Sequence, residues 1–96
     1  MASYVDTSVL VDVASKLDTD ATQLSTLSGT LSSAGGQVSG GWSDNNSAIF
    51  AQRFGEFTKA TGDLIGEIQN YSKFIKECAK AYDDLQAAAL AKMGGA

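Results

Sequence analysis

Cys78 is the only ready nucleophile or redox centre in the chain, and the sequence supplies nothing to activate it. There is no histidine, so the base that usually draws the proton from a catalytic thiol is missing. A single cysteine cannot close an internal disulfide. Asp83 and Asp84 are neighbours, and neighbours on a helix point in different directions, so they form no acid/base dyad. Carboxylates without histidine or further cysteines make a poor transition-metal set. These residues point away from an enzyme, a metal and any cofactor. Cys78 reads as a packing residue. The remaining candidate is Trp42, the sole tryptophan, held in Gly40-Gly41-Trp42-Ser43-Asp44. Its indole either folds back to cap a neighbouring core or stands partly exposed as a recognition residue. Gly41, Trp42, Ser43 and Asp44 are therefore the candidate recognition cleft.

The elements that place this turn follow from periodicity. Proline is absent, which permits long helices. Leu10, Leu17, Leu24, Leu31 and Val38 recur every seven residues, with Val13, Leu27 and Ala34 three positions after rungs of that ladder. Asp20 interrupts this second seam. Asp6 is a good N-cap, with Val5 and Leu10 placed as a hydrophobic staple. The spacing predicts a helix over about 7–39. In the second half Phe50, Phe57, Leu64, Tyr71, Cys78 and Leu85 are spaced by seven, each followed four positions later by Phe54, Thr61, Ile68, Ile75, Tyr82 and Ala89. A second helix is predicted over about 46–92, roughly 65 Å long at about 1.5 Å per residue. Asp44 or Asn46 would cap its start, and Gly94-Gly95 would end it before a short flexible tail. The turn, about 40–45, is short, so the helices fold back antiparallel. Gly35-Gly36 makes the end of the first helix its least certain boundary. The expected fold is all-α: one domain over 1–96, an antiparallel two-helix hairpin.

At 96 residues a single hairpin buries little of its surface. With disulfide and metal set aside, association is the device left to stabilise it. The stripe on the second helix is too wide for one neighbour. Burying further side chains contributes about 1.5–3 kcal/mol each. Two hairpins packed as a four-helix bundle solve this, the partner being either a second copy or a related small hairpin. The expected hairpin or dimer core is Leu10, Leu17, Leu24, Leu31, Phe50, Phe54, Phe57, Leu64, Ile68, Tyr71, Ile75, Tyr82 and Leu85. In an antiparallel dimer each turn would lie near the other subunit's chain ends, so Trp42 and the partner's C-terminal segment could share one cleft.

Gly55, Gly62 and Gly66 lie at helical spacing with Ala48, Ala51 and Thr58. They read as a thin face approached by a neighbouring backbone, in preference to a soft region that bends. The Ser/Thr-rich outer side of the first helix reads as a solvated face, in preference to a lightly hydrated docking surface. Formal charge is −4, of which −3 lies before Gly41 and −1 at Asp44, while six basic and six acidic residues balance from Asn45 on. No basic patch offers itself to nucleic acid or an anionic membrane. Met1–Asp6 lacks a basic segment followed by an apolar one, so no cleaved secretory signal is expected, and no apolar run reaches the roughly 20 residues of a membrane span.

The length, the missing signal, the hairpin and the mid-chain tryptophan together resemble the WXG family, the small ESAT-like substrates of type VII secretion. The resemblance spans the chain and rests on one short motif. Here the motif reads Trp42-Ser43-Asp44, with aspartate in place of the family's glycine. The family's actinobacterial pattern of Tyr followed four residues later by Asp or Glu is also absent: Tyr82 is followed by Gln86 and Tyr71 by Ile75. The resemblance implies a secreted, virulence-associated substrate or export partner, made in the cytoplasm and exported without a cleaved signal by a Gram-positive, Firmicute-like system. Its implied partners are itself or a related hairpin, the type VII secretion ATPase, and a larger co-secreted toxin. Recognition would run through the turn cleft and the helical segment around Lys80 to Lys92. The alternative is an intracellular helical adaptor unconnected with secretion.

Overall fold

A computed structural model describes residues 5–94. The segment Met1–Asp6, read above as lacking a secretory signal, is thus covered only at Val5 and Asp6, and the Gly95 stop and the tail lie outside the described residues. Two helices account for the fold, α1 Thr7–Gly40 and α2 Asn45–Gly94, packed antiparallel in a rod of 79 × 18 × 17 Å. No strand occurs among the described residues.

The helices begin where side chains meet their unpaired amides. Asp6, in extended conformation, accepts from Ser8 N at 3.0 Å through its carboxylate and from Val9 N at 3.1 Å through its carbonyl. Asp44 does the same for α2, taking Asn46 N at 2.9 Å and Ser47 N at 3.0 Å. At the end of α1 the Gly41 N–H donates to Gln37 O and Val38 O, at 3.2 and 3.1 Å. The helix runs through Gly35-Gly36 to Gly40. No described glycine has positive φ, so the turn does not use glycine's left-handed freedom.

The seam between the helices differs from the one expected on α1. The leucines Leu10, Leu17, Leu24 and Leu31 do face α2, all half-buried. Their companions, however, are Ala14, Ala21, Ser28 and Gly35, four residues on rather than three. Val13, Leu27 and Ala34 are exposed. The reason is size. A row of Ala, Ser and Gly lets α2 come close, whereas a row containing Val13, Asp20 and Leu27 would hold it off and desolvate a carboxylate. Opposite lie Phe54, Thr61, Ile68 and Ile75 in one row and Thr58, Ile65, Ser72 and Ala79 in the next, of which Ser72 and Ala79 are buried.

Gly35 marks the tightest approach. A Cβ there would stand 2.4 Å from the Phe54 ring. The glycine row on α2 is a different matter. Within the hairpin the thin face is not approached: nothing lies within 4 Å of a Cβ built on Gly55, Gly62 or Gly66. The close helix approach is made by α1's small residues instead. Four threonines on α1's outer side, Thr19, Thr22, Thr26 and Thr30, turn their hydroxyls back onto carbonyls one turn earlier, at 3.0–3.2 Å. These residues are exposed, and the hairpin does not cover that side.

Candidate interaction surface

The turn is the first candidate. Trp42 is 36% exposed and its ring centroid lies 5.8 Å from that of Phe50. Phe50 in turn is 5.5 Å from Phe54, and Phe54 is 6.3 Å from Phe57. An aromatic row thus leads from the tip down α2, with Phe54 seated on Gly35. Of the cleft residues, Trp42 joins this row and Asp44 caps α2, while Gly41 closes α1 and Ser43 is exposed. The Asp44 carboxyl is held below its ordinary value of 3.8, first by the Trp42 side chain beside it, then by the Ser47 and Asn46 N–H groups. The indole is not among its well-aligned hydrogen bonds; those come from the two amides.

The second candidate is a long face. On a helix each residue turns about 100°. Relative to the seam, Val9, Val13, Leu27 and Val38 lie to one side of α1, and Phe57, Leu64, Tyr71 and Tyr82 to one side of α2. In an antiparallel pair these two sides coincide, so the rows form one continuous apolar face. All eight are exposed, Tyr71 at 60%. A shallow groove of about 340 Å³ between the rows is lined by Leu24, Leu27 and Ile68, with Asp20 and Gln23 at its edge.

The opposite face is closed by polar bonds. Thr7 Oγ1 donates to Asp83 Oδ1 at 2.7 Å, Ser72 Oγ to the Ala14 carbonyl at 3.0 Å, and Lys76 Nζ to Asp18 Oδ2 at 2.6 Å. Lys76 is the largest influence holding the Asp18 carboxyl below 3.8, with the Ser72 hydroxyl next. The residues expected as hairpin or dimer core therefore divide. Leu10, Leu17, Leu24, Leu31, Phe50, Phe54, Ile68 and Ile75 meet in the seam, half-buried. Phe57, Leu64, Tyr71, Tyr82 and Leu85 do not, and remain on the surface. Cys78 is half-buried between the two sets.

Beyond the level of the start of α1, no other described element runs beside α2, and Leu85, Leu90 and Met93 are 67%, 69% and 73% exposed. Sequence reasoning missed the buried Ser72 and the seat at Gly35. The seven-residue rows Ala14, Ala21, Ser28, Gly35 on α1 and Thr58, Ile65, Ser72, Ala79 on α2 were the signals that would have found them. Among the described residues, no group of three or more His, Cys, Asp and Glu side chains is placed to hold a metal, and no helix is long and apolar enough to cross a membrane.

Comparison with known proteins gives one result of substance. A family model described as proteins of 100 residues with WXG matches residues 4–87. No curated protein and no solved structure matches the chain.

Proposed function

The chain belongs to the WXG100 family, and from that premise we propose that it is a small substrate or export partner of a type VII secretion system that works by docking as a helical hairpin. The observation that carries this reading is the continuous apolar face, with Val13 and Leu27 on α1 beside Leu64 and Tyr71 on α2. A contiguous exposed apolar face of this kind marks a surface for another protein. Another helical hairpin fits the shape, giving a four-helix assembly. The aromatic tip at Trp42 and the free end of α2 are the other two surfaces the fold presents, and recognition by the export ATPase or a larger co-secreted toxin is assigned to them. Export of this kind proceeds from the cytoplasm to the exterior without a cleaved signal.

Release into culture supernatant from wild-type cells, and retention in cells lacking the type VII ATPase, is the expected result. Equal release from both strains overturns the reading. Retention inside intact wild-type cells would favour an intracellular adaptor, for which Trp42 merely caps the tip.

A further inference from the structure

Along its length the hairpin changes character about halfway to the turn. The cross-helix bonds Thr7–Asp83, Ser72–Ala14 and Lys76–Asp18 all join residues 7–18 to residues 72–83. The buried Ala14, Ala21, Ser72 and Ala79 lie in that same base half. Nearer the turn, Gly35 is the one buried position among the described residues, and no polar bond among them crosses the seam.

The sequence of α1 changes at the same level. In 7–24, five of eighteen residues are Ser, Thr or Gly; in 25–40, eleven of sixteen are. Glycine weakens a helix interior relative to alanine, and Ser and Thr hydroxyls compete for the backbone's hydrogen bonds. Thr26 and Thr30 show that competition, donating to the Thr22 and Thr26 carbonyls at 3.1 and 3.2 Å. No charged residue occurs from Ala21 to Ser43, so no ion pair ties this stretch to α2 or within itself. The facing part of α2 contains better helix formers, such as Ala51, Gln52, Arg53 and Glu56, and is continuous with the bonded base.

We infer that residues 25–40 of α1 form a separate arm, which unwinds and leaves α2 as one unit while the base, 7–24 against 67–83, stays formed. Local opening of this kind belongs to the least stable cooperative unit of a fold. The arm is also a cover. The Phe54 ring sits on Gly35, and Phe54 leads to Phe50 and Trp42. Opening uncovers that aromatic row from the seam side and frees the turn, with the base bonds intact. The inference does not depend on what covers the apolar face.

Native-state hydrogen exchange on the full chain tests it. Amides of 26–40 should be at least about a hundredfold less protected than those of 14–21 and 72–79, by one common factor along the arm. Two variants distinguish an arm from a hairpin that opens as a whole. Ser72→Ala weakens the closed and the arm-open states alike, since both keep the base. It should speed exchange at 14–21 and 72–79 about two- to tenfold and leave 26–40 unchanged. Gly29→Ala with Gly36→Ala strengthens the closed state, because neither added methyl meets anything within 4 Å. It should slow exchange about tenfold in arm and base together, as the closed state drops relative to both the arm-open and the unfolded chain.

Equal protection along α1 overturns the inference. So does fast exchange confined to 36–40, which is a frayed end and not an arm. A Ser72→Ala variant that speeds arm and base by the same factor overturns it as well.

Discussion

The two long faces of this hairpin are made of the same helices and are finished to different degrees. One is stitched by Thr7–Asp83, Ser72–Ala14 and Lys76–Asp18. The other leaves Phe57, Leu64 and Tyr71 in water, with no polar bond across it among the described residues. Polar cross-links bring satisfied groups to an edge where nothing further needs to pack. An apolar row in water is a standing free-energy cost, removed only by a cover. On the reading proposed above, stability and association fall to different sides of the same helices, and the two can be perturbed separately.

The strongest test of that separation is a pair of variants. Phe57→Ser with Leu64→Ser should weaken self-association more than a hundredfold, since two such side chains contribute about 1.5–3 kcal/mol each when covered. The dilute hairpin should change by no more than about 0.5 kcal/mol, as exposed substitutions do. Leu24→Ala in the seam should do the reverse and lower hairpin stability by about 2 kcal/mol, near the low end for leucine because the site is half-buried. Denaturant unfolding at low concentration, beside sedimentation, reads both. If the serine variants unfold the isolated hairpin, the two faces are not independent.

Next in size is a contrast between adjacent glycines. Gly35→Ala drives a methyl into the Phe54 ring, which would stand 2.4 Å away, and the ring must tip out of its seat. Overpacking of this kind costs about 1–3 kcal/mol, less the gain of up to about 1 kcal/mol that alanine brings to a helix. Gly36→Ala meets nothing within 4 Å and should stabilise by up to about 1 kcal/mol. Opposite signs in thermal melts would confirm that the seam, and not the turn, demands glycine. Trp42 fluorescence should shift in the first variant alone, through the aromatic row.

The helices and their reversal were legible in the sequence because a seven-residue leucine ladder and a proline-free chain leave few other solutions. The α2 stripe was legible as too wide, and the structure divides it: Phe54, Ile68 and Ile75 turn inward, Phe57, Leu64 and Tyr71 outward. The partner row on α1 was misread because apolar size was taken as the signal. Val13 and Leu27 look more like core than Ala14 and Ser28 do, yet close packing selects small residues. The Gly55, Gly62 and Gly66 row is not approached within the hairpin, since small residues make a close approach possible without requiring one. Asp44 as a cap was legible; the link from Trp42 through Phe50 to Phe54 was not, because it depends on side-chain directions at the tip.

On the closed face the effects should be smaller. Ser72→Ala removes a buried hydroxyl whose acceptor, the Ala14 carbonyl, also belongs to the helical ladder, so the expected loss is about 0.5–1.5 kcal/mol. Ser72→Val keeps the volume nearer to filled but lacks the bond, and should not recover the loss.

The smallest effect is the acid response of the exposed carboxylates. Asp6 is held below 3.8 first by the Ser8 hydroxyl, Asp18 first by Lys76, and Asp44 first by the Trp42 side chain. Each is lowered in the folded chain, so the unfolded chain binds more protons in acid. The stability they add is then fully present above about pH 3.8 and is lost as pH falls through the lowered folded values. Lys80, raised by Asp84, acts at the other end: its share is complete below 10.5 and is lost as pH rises through the raised value. Urea midpoints should accordingly be flat near neutrality and fall below pH 4. Asp18→Asn, which removes the carboxylate that Lys76 holds on the closed face, should flatten part of that acid limb.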